Sequence, residues 1–221
     1  QKTAYEIYQC DWSSDVCSSD LRLKDLRARG GSLVVVDPRR TETADIADRH
    51  LFVRPGTDAW LLLAMLHVIF AEGRERFGRL ESFVDGLGAV RAACHDVTPD
   101  IAARVTGIEA EEIRRLARDF ATAPSAVCHG RMGASTQEFG ALTQWLIQVL
   151  NTVTGNLDRS GGAMFTKPAF DLVSLGGGPS ARGTSARKTR VSGLAEFGGE
   201  FPVAALAEER SEEHTSELQS H

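Results

Sequence analysis

The sequence predicts an α/β fold: a partial Rossmann-like parallel sheet with flanking helices. Three observations carry this. The runs "SLVVVD" (32–37), "HLFVRPGTD" (50–58) and "SAVCHG" (125–130) are short, apolar and rich in β-branched residues. Segments with helical apolar spacing stand between and after them. Gly and Pro punctuate the joins. Strands alternating with helices in this way build helices onto the faces of a mostly parallel sheet.

In chain order, "RLKDLRARGG" (22–31) is amphipathic, and Gly30-Gly31 is a helix C-terminal stop. "SLVVVD" suits a strand covered on both faces. "HLFVRPGTD" supplies the next strand. Thr57 or Asp58 then caps the apolar helix "AWLLLAMLHVIFAEG" (59–73), which Gly73 stops. "RERFGRLESFVDGLGAVRAAC" (74–94) reads as further helix with a Gly-rich break. Thr98 is an N-cap with Pro99 at the first helical position. "IEAEEIRRLARDFATAP" (108–124) is strongly amphipathic, with apolar residues at 108, 113, 116, 117 and 120, and Pro124 ends it. Glu111 and Glu112 read as its solvent face. "RMGASTQEFG" (131–140) reads as a polar loop, and "ALTQWLIQVLNTVTG" (141–155) as a helix closed by Gly155. From "NLDRSGGAMF" onward the chain reads as loop, with "SLGGGPSARGTSARKTR" (174–190) its most flexible part. There is no internal repeat.

The two ends read differently. "DWSSDVCSSDL" (11–21) and "RSEEHTSELQS" (210–220) have neither a helical nor a strand period. They are translations of opposite strands of one DNA string, that of a sequencing-library adapter. "QKTAYEI" (1–7) translates the outer part of the same adapter. Both ends are therefore set aside as non-native and expected to be disordered, as a fusion scar would be. The domain reading is 1–21 adapter-derived, 22–172 the central α/β region, 173–209 a flexible linked segment and 210–221 adapter-derived. The natural piece is read as an internal fragment of a longer protein.

Composition narrows the function classes. The chain carries 25 Lys and Arg against 30 Asp and Glu, a net charge of −5. Without the ends the count is 23 of each sign, so no basic excess argues for nucleic acid. The arginines of "SARGTSARKTR" have no interleaved aromatics, which also speaks against a nucleic-acid surface. Cys94 and Cys128 are too far apart for a C-x-x-C pair and read as buried small apolar residues. No run is long and apolar enough to span a membrane. Zero net charge without a visible export signal leans toward the cytoplasm, with the periplasm open. His50, His67 and His95 read as structural or exposed. His129 has no carboxylate or cysteine partner at metal spacing, so neither a metal ligand set nor a catalytic set is assembled.

Three polar lips follow the three strands. Asp37, Pro38, Arg39 and Arg40 stand at the first. A carboxylate there accepts hydrogen bonds from a ribose diol or a guanine N–H edge, and guanidinium groups match phosphate. The same residues also make an ordinary Asp-Pro-Arg turn. Gly56, Thr57 and Asp58 form the second lip, where a ligand can approach the backbone and a helix N-terminus, or where a simple cap suffices. Arg131, Gly133, Ser135, Thr136 and Gln137 form the third, a ligand loop or a satisfied polar loop.

Three segments in this order resemble the molybdopterin oxidoreductase family, the dimethyl sulfoxide reductase-like enzymes that include formate dehydrogenases and nitrate reductases. They are "VVVDPRRTETADIADRHLFVRPGTDAWLLLAMLHVI" (34–69), "VTGIEAEEIRRLARDFA" (105–121) with "HGRMGASTQEFG" (129–140), and "VLNTVTGNLDRSGGAMF" (149–165). The resemblance implies a catalytic subunit with molybdenum or tungsten held between two molybdopterin guanine dinucleotides. It implies two-electron redox chemistry on a small substrate such as formate or nitrate, with a possible electron-transfer subunit as partner. It places Asp37, Pro38, Arg39 and Arg40 against the guanosine and phosphates of one dinucleotide. Gly56, Thr57 and Asp58 match a guanine- and ribose-contacting turn. Met132, Gly133 and Thr136, with Arg131 and Gln137, match a loop approaching the pterin. A 4Fe–4S centre and the metal-ligating residue are expected upstream of residue 22, so this piece is expected to be inactive alone. Two other readings stay open: a complex I-type subunit of the same fold without molybdenum, and a nucleotide-binding module without redox chemistry.

Overall fold

In the computed structural model, which describes residues 4–9, 23–164, 184–197 and 200–211, the chain divides into two compact units, 1–165 and 166–221. The sequence boundary at 172 falls outside the described residues.

The first unit is built on a four-stranded sheet. Its strands are β1 (Ala4–Gln9), β2 (Ser32–Val36), β3 (Arg49–Leu51) and β4 (Ser125–Gly130), in the order β3-β2-β1-β4. Every neighbouring pair is parallel, as the alternation of strands and helices predicts. β2 explains itself: Leu33, Val34, Val35 and Val36 are all at most 1 % exposed, so both faces are covered. Val34 and Val36 join the main core, while Leu33 and Val35 pack with Leu23 and Ala44 in a smaller cluster on the other face.

β1 departs from expectation. Residues 4–9 belong to the stretch set aside as non-native and disordered, yet they form the strand between β2 and β4. The physical reason lies in the pairing. β2 and β4 each need a partner for their inward-facing amides and carbonyls, and ladder bonds are made by backbone alone. An extended, Pro-free ribbon with β-forming residues such as Tyr5, Ile7 and Tyr8 meets that need.

The unit also holds six helices, α1 (Glu42–Ile46), α2 (Asp58–Ala71), α3 (Leu87–His95), α4 (Pro99–Thr106), α5 (Ala110–Thr122) and α7 (Gly140–Val153), and the one-turn α6 (Met132–Ser135) follows β4; α1 packs on β2 and α7 on β4. Residues 23–28 are also helical, and Gly30 ends that segment at a positive φ of 80°. α2 is apolar nearly all round because it is the hub: α3, α4, α5 and α7 all pack on it. Leu61, Leu62, Met65, Leu66 and Ile69 are at most 2 % exposed, each contributing roughly 1.5–3 kcal/mol by burial. α5 buries Ile113, Leu116, Ala117 and Phe120, as its spacing predicts. Thr98 accepts the Ile101 amide as the N-cap of α4, with Pro99 at the first position.

Local expectations fail in three further places. α1, capped by the Thr41 side chain, stands where no helix is predicted, because the polar "TETADI" run hides its few apolar residues. The "RMGASTQEFG" loop contains α6. Within 174–190, read as flexible, Thr184–Lys188 is β5, paired antiparallel with β6 (Ala195–Phe197) in the second unit. There Thr189 closes the hairpin through its amide to Leu194 O at 2.8 Å, and buried Glu196 pairs with Arg187. Alternation is too weak in so polar a hairpin to announce it.

Candidate functional site

Parallel strands deliver their C-terminal ends to one edge of the sheet, and here that edge carries a cavity of about 330 Å³. Asp37, Pro38 and Arg39 line it from the end of β2, Val53, Pro55 and Asp58 from beyond β3, and Gly133 and Gln137 from beyond β4. All three lips therefore meet in one crevice.

Asp37 is 4 % exposed, and its Oδ1 accepts the Arg39 amide at 2.7 Å. This is the turn chemistry that Asp-Pro-Arg allows, and it occupies one carboxylate oxygen. The Asp37 amide donates to Leu51 O at 3.1 Å, tying the first lip to β3. The ring Nε2 of His50 lies 3.0 Å from Asp37 O, with the ring tilted against Phe52. Arg40 instead turns away to Asp45 on α1, both side chains well exposed.

On the second lip, Gly56 has a φ of 81°, a conformation that favours glycine, and a Cβ there would meet only Gln137 Oε1 at 3.8 Å. Thr57 stands at the N-cap position of α2 without capping it. Its hydroxyl donates back to Arg54 O at 2.7 Å, so its side chain takes none of the helix's first amides. The simple-cap reading of Thr57 therefore fails. Asp58, in the first turn of α2, is 1 % exposed. Its Oδ2 accepts no protein hydrogen bond, while the residue keeps other interactions.

The third lip is folded by α6. Gln137 Nε2 donates to Gly133 O, and Thr136 Oγ1 to Met132 O at 2.9 Å. Of the sequence-predicted residues, Asp37, Pro38, Arg39, Asp58, Gly133 and Gln137 line the cavity, and Gly56 adjoins it through Gln137. Arg40, Thr57, Arg131, Met132 and Thr136 are not among the lining residues. Val53 and Pro55 are lining residues that the sequence reading passed over. Both are apolar, and only their position beside "GTD" could have marked them.

His129 lies on β4 next to a separate hollow. It is exposed over much of its surface yet crowded by neighbouring atoms. That crowding first, and the Arg131 charge second, lower its pKa below the ordinary histidine value. Cys94 and Cys128 are buried free thiols, and burial pushes their pKa values up to about 11 and about 12. That is the behaviour of packing residues rather than nucleophiles. Among the described residues, no group of three or more His, Cys, Asp or Glu is placed to hold a metal, and no helix is long and apolar enough to cross a membrane.

No protein-family profile matches the chain. It is 35 % identical over 133 residues to formate dehydrogenase H of Escherichia coli (strain K12), covering 60 % of this chain and 19 % of that protein. It is 30 % identical over 156 residues to the thiosulfate reductase molybdopterin-containing subunit of Salmonella typhimurium, covering 70 % and 21 %. Among solved structures, acetylene hydratase from Pelobacter acetylenicus superposes with a TM-score of 0.69 at 30 % identity, over 76 % of this chain and 23 % of that one. The chain thus spans about a fifth of the length of the relatives it matches. Three strand lips on one crevice, this shared fold and identities of 30–35 % agree, and the chain belongs to the molybdopterin oxidoreductase family.

Proposed function

We propose that this chain forms part of the cradle for one molybdopterin guanine dinucleotide in a molybdenum or tungsten oxidoreductase acting on a small substrate such as formate. The observation that carries this is the convergence of all three lips on one crevice. A volume of about 330 Å³ is at the lower end of ligand-site sizes, suited to one nucleoside rather than a whole dinucleotide.

The donor set fits a guanine nucleoside. The buried carboxylates of Asp37 and Asp58 suit the N–H edge of guanine and a ribose diol, as acceptors with nothing to donate. Pro38, Val53 and Pro55 offer apolar walls for a flat ring. Two buried carboxylates repel phosphate, so the phosphates belong at the Arg39 end, where a guanidinium neutralises them. Gln137 supplies both an amide donor and an acceptor opposite Gly56. The metal–pterin group supplies the two-electron chemistry when bound, and this chain's residues hold and orient it. A 4Fe–4S cluster and an electron-transfer subunit belong to the same reading of the full-length protein.

The test is composition. The full-length protein, purified and acid-hydrolysed, should release guanine nucleotide together with molybdenum or tungsten, two nucleotides per metal. Asp58→Ala should lower both contents at least about tenfold, the worth of one charge-assisted pair. Full-length protein that releases neither would sink the proposal. Iron and acid-labile sulfide in the same sample test the cluster.

A further inference from the structure

β4 is an edge strand, since β1 pairs with only one of its sides. Its other side is closed by side-chain amides. The Ala126 amide donates to Asn156 Oδ1 at 3.0 Å. The Cys128 amide donates to Asn151 Oδ1 at 2.9 Å, and Asn151 Nδ2 donates to Cys128 O at 2.8 Å. Gln144 Nε2 donates to Gly130 O at 3.1 Å. Residues 126, 128 and 130 are every second residue of the strand, the spacing at which a neighbouring strand would bond. Their partners run the opposite way, 156, 151, 144. Asn151 and Asn156 are both 0 % exposed. Apolar residues in their place would leave buried backbone groups unpaired, which is costly.

The upper end of this ladder reaches the third lip. Gln144 Nε2 also donates to Ser135 Oγ at 2.9 Å, so one amide bridges the end of β4 to α6. Two glycines let the parts close on one another. A Cβ on Gly130 would meet Ile147 Cδ1 at 2.5 Å, and one on Gly140 would meet Ser135 O at 1.9 Å.

We infer that Gln144, Asn151 and Asn156 act as a surrogate fifth strand, and that Gln144 is the positioning residue that sets the lip carrying Gly133 and Gln137. The ladder rests on geometry alone; its consequence for a ligand rests on the cradle proposed above. Asn151 and Asn156 lock the strand, while Gln144 transmits that lock to the crevice. The device also hinders an incoming strand at these residues, because the Ala126 amide and both the amide and the carbonyl of Cys128 are already taken.

The experiment uses the full-length protein prepared free of cofactor. Amide exchange is followed over 131–137, where Ala134, Ser135 and Thr136 donate to Arg131 O or Met132 O, and GDP affinity is measured by calorimetry. Gln144→Met should speed exchange of those three amides about tenfold and weaken GDP about tenfold, with exchange in α2 and α5 unchanged. Gln144→Lys, which keeps a donor at that length, should recover most of both. If Gln144→Met does not fold, Gln144→Leu removes the same bonds with a shorter side chain and should raise the same exchange about tenfold; Ser135→Ala does not serve in its place, because Ser135 Oγ also donates to Arg131 O at 3.1 Å within α6. Unchanged exchange at 134–136 in the folded variants, or loss of protection spread evenly through the unit, would overturn the positioning role. Altered exchange in a protein whose parent binds no guanine nucleotide would support the ladder and remove the cradle.

Discussion

Glycine to alanine at two helix starts should move stability in opposite directions. Gly88, near the start of α3, has nothing within 4 Å of a built Cβ, so alanine there gains helix propensity without a clash. The expected gain is up to about 1 kcal/mol. Gly140 opens α7, and its Cβ would stand 1.9 Å from Ser135 O and 2.5 Å from Ser135 C, both backbone atoms. No rotamer change relieves contact with a carbonyl, so α6 or the start of α7 has to move by about 1 Å. Overpacking of this kind costs about 1–3 kcal/mol, which outweighs a propensity gain that is smaller still at a first helical position. The net loss for Gly140→Ala is then about 1–2 kcal/mol, or roughly 2–8 °C in melting temperature for a unit of this size. Calorimetry on the two variants beside the parent reads the difference. Equal melting temperatures for Gly88→Ala and Gly140→Ala would refute the reasoning, since the close approach of residue 140 to residue 135 is its only basis.

Phe120→Ala, at a fully buried position among the largest core side chains, should destabilise by about 3–5 kcal/mol in urea unfolding. Arg49→Met should cost only about 1 kcal/mol, because the half-buried Glu112 it releases keeps Arg115 at 2.6 Å; a double-mutant cycle with Glu112→Gln measures the coupling. Cys94 and Cys128 should resist iodoacetamide at pH 8 until denaturant is added. Their folded pKa values lie above the ordinary 9.0, so the unfolded chain releases these protons first. Stability therefore falls as pH rises through about 9 to 12, and replacing both thiols by alanine should flatten that part of a pH–stability curve. For His129 the sign is opposite. Its folded pKa is lowered, so acidification through the ordinary histidine range protonates the unfolded chain first and costs stability, a slope that His129→Gln should remove.

What could be read from the residues follows from how local each signal is. β2, α2, α5, β4 and α7 announce themselves because their burial pattern is written in contiguous residues, from "LVVV" to "IRRLARDF". The crevice was legible in outline, since parallel strands send their ends to one edge and the polar lips sit at those ends. What stayed hidden depends on tertiary choice. Nothing in "DPRR" says that Arg39 faces the cavity while Arg40 pairs with Asp45. Val53 and Pro55 carry no polar signal at all. Asn151 looks like an ordinary polar break in a helix until β4 is placed beside it. Ala4–Gln9 escaped because a central strand's backbone bonds do not depend on which side chains they carry.

That middle strand, read above as foreign to the natural protein, has a consequence when this 221-residue chain itself is synthesised. In the paired register Ala4 lies opposite Ser125, so the ribbon leaves the ribosome more than a hundred residues before the strand that will flank it. At about 5–20 residues per second, one flank of the ribbon waits roughly 6–25 s for its mate. Until β4 arrives, nascent chains on neighbouring ribosomes meet that open flank, and a trigger-factor-like holdase supplied in trans should raise the soluble yield.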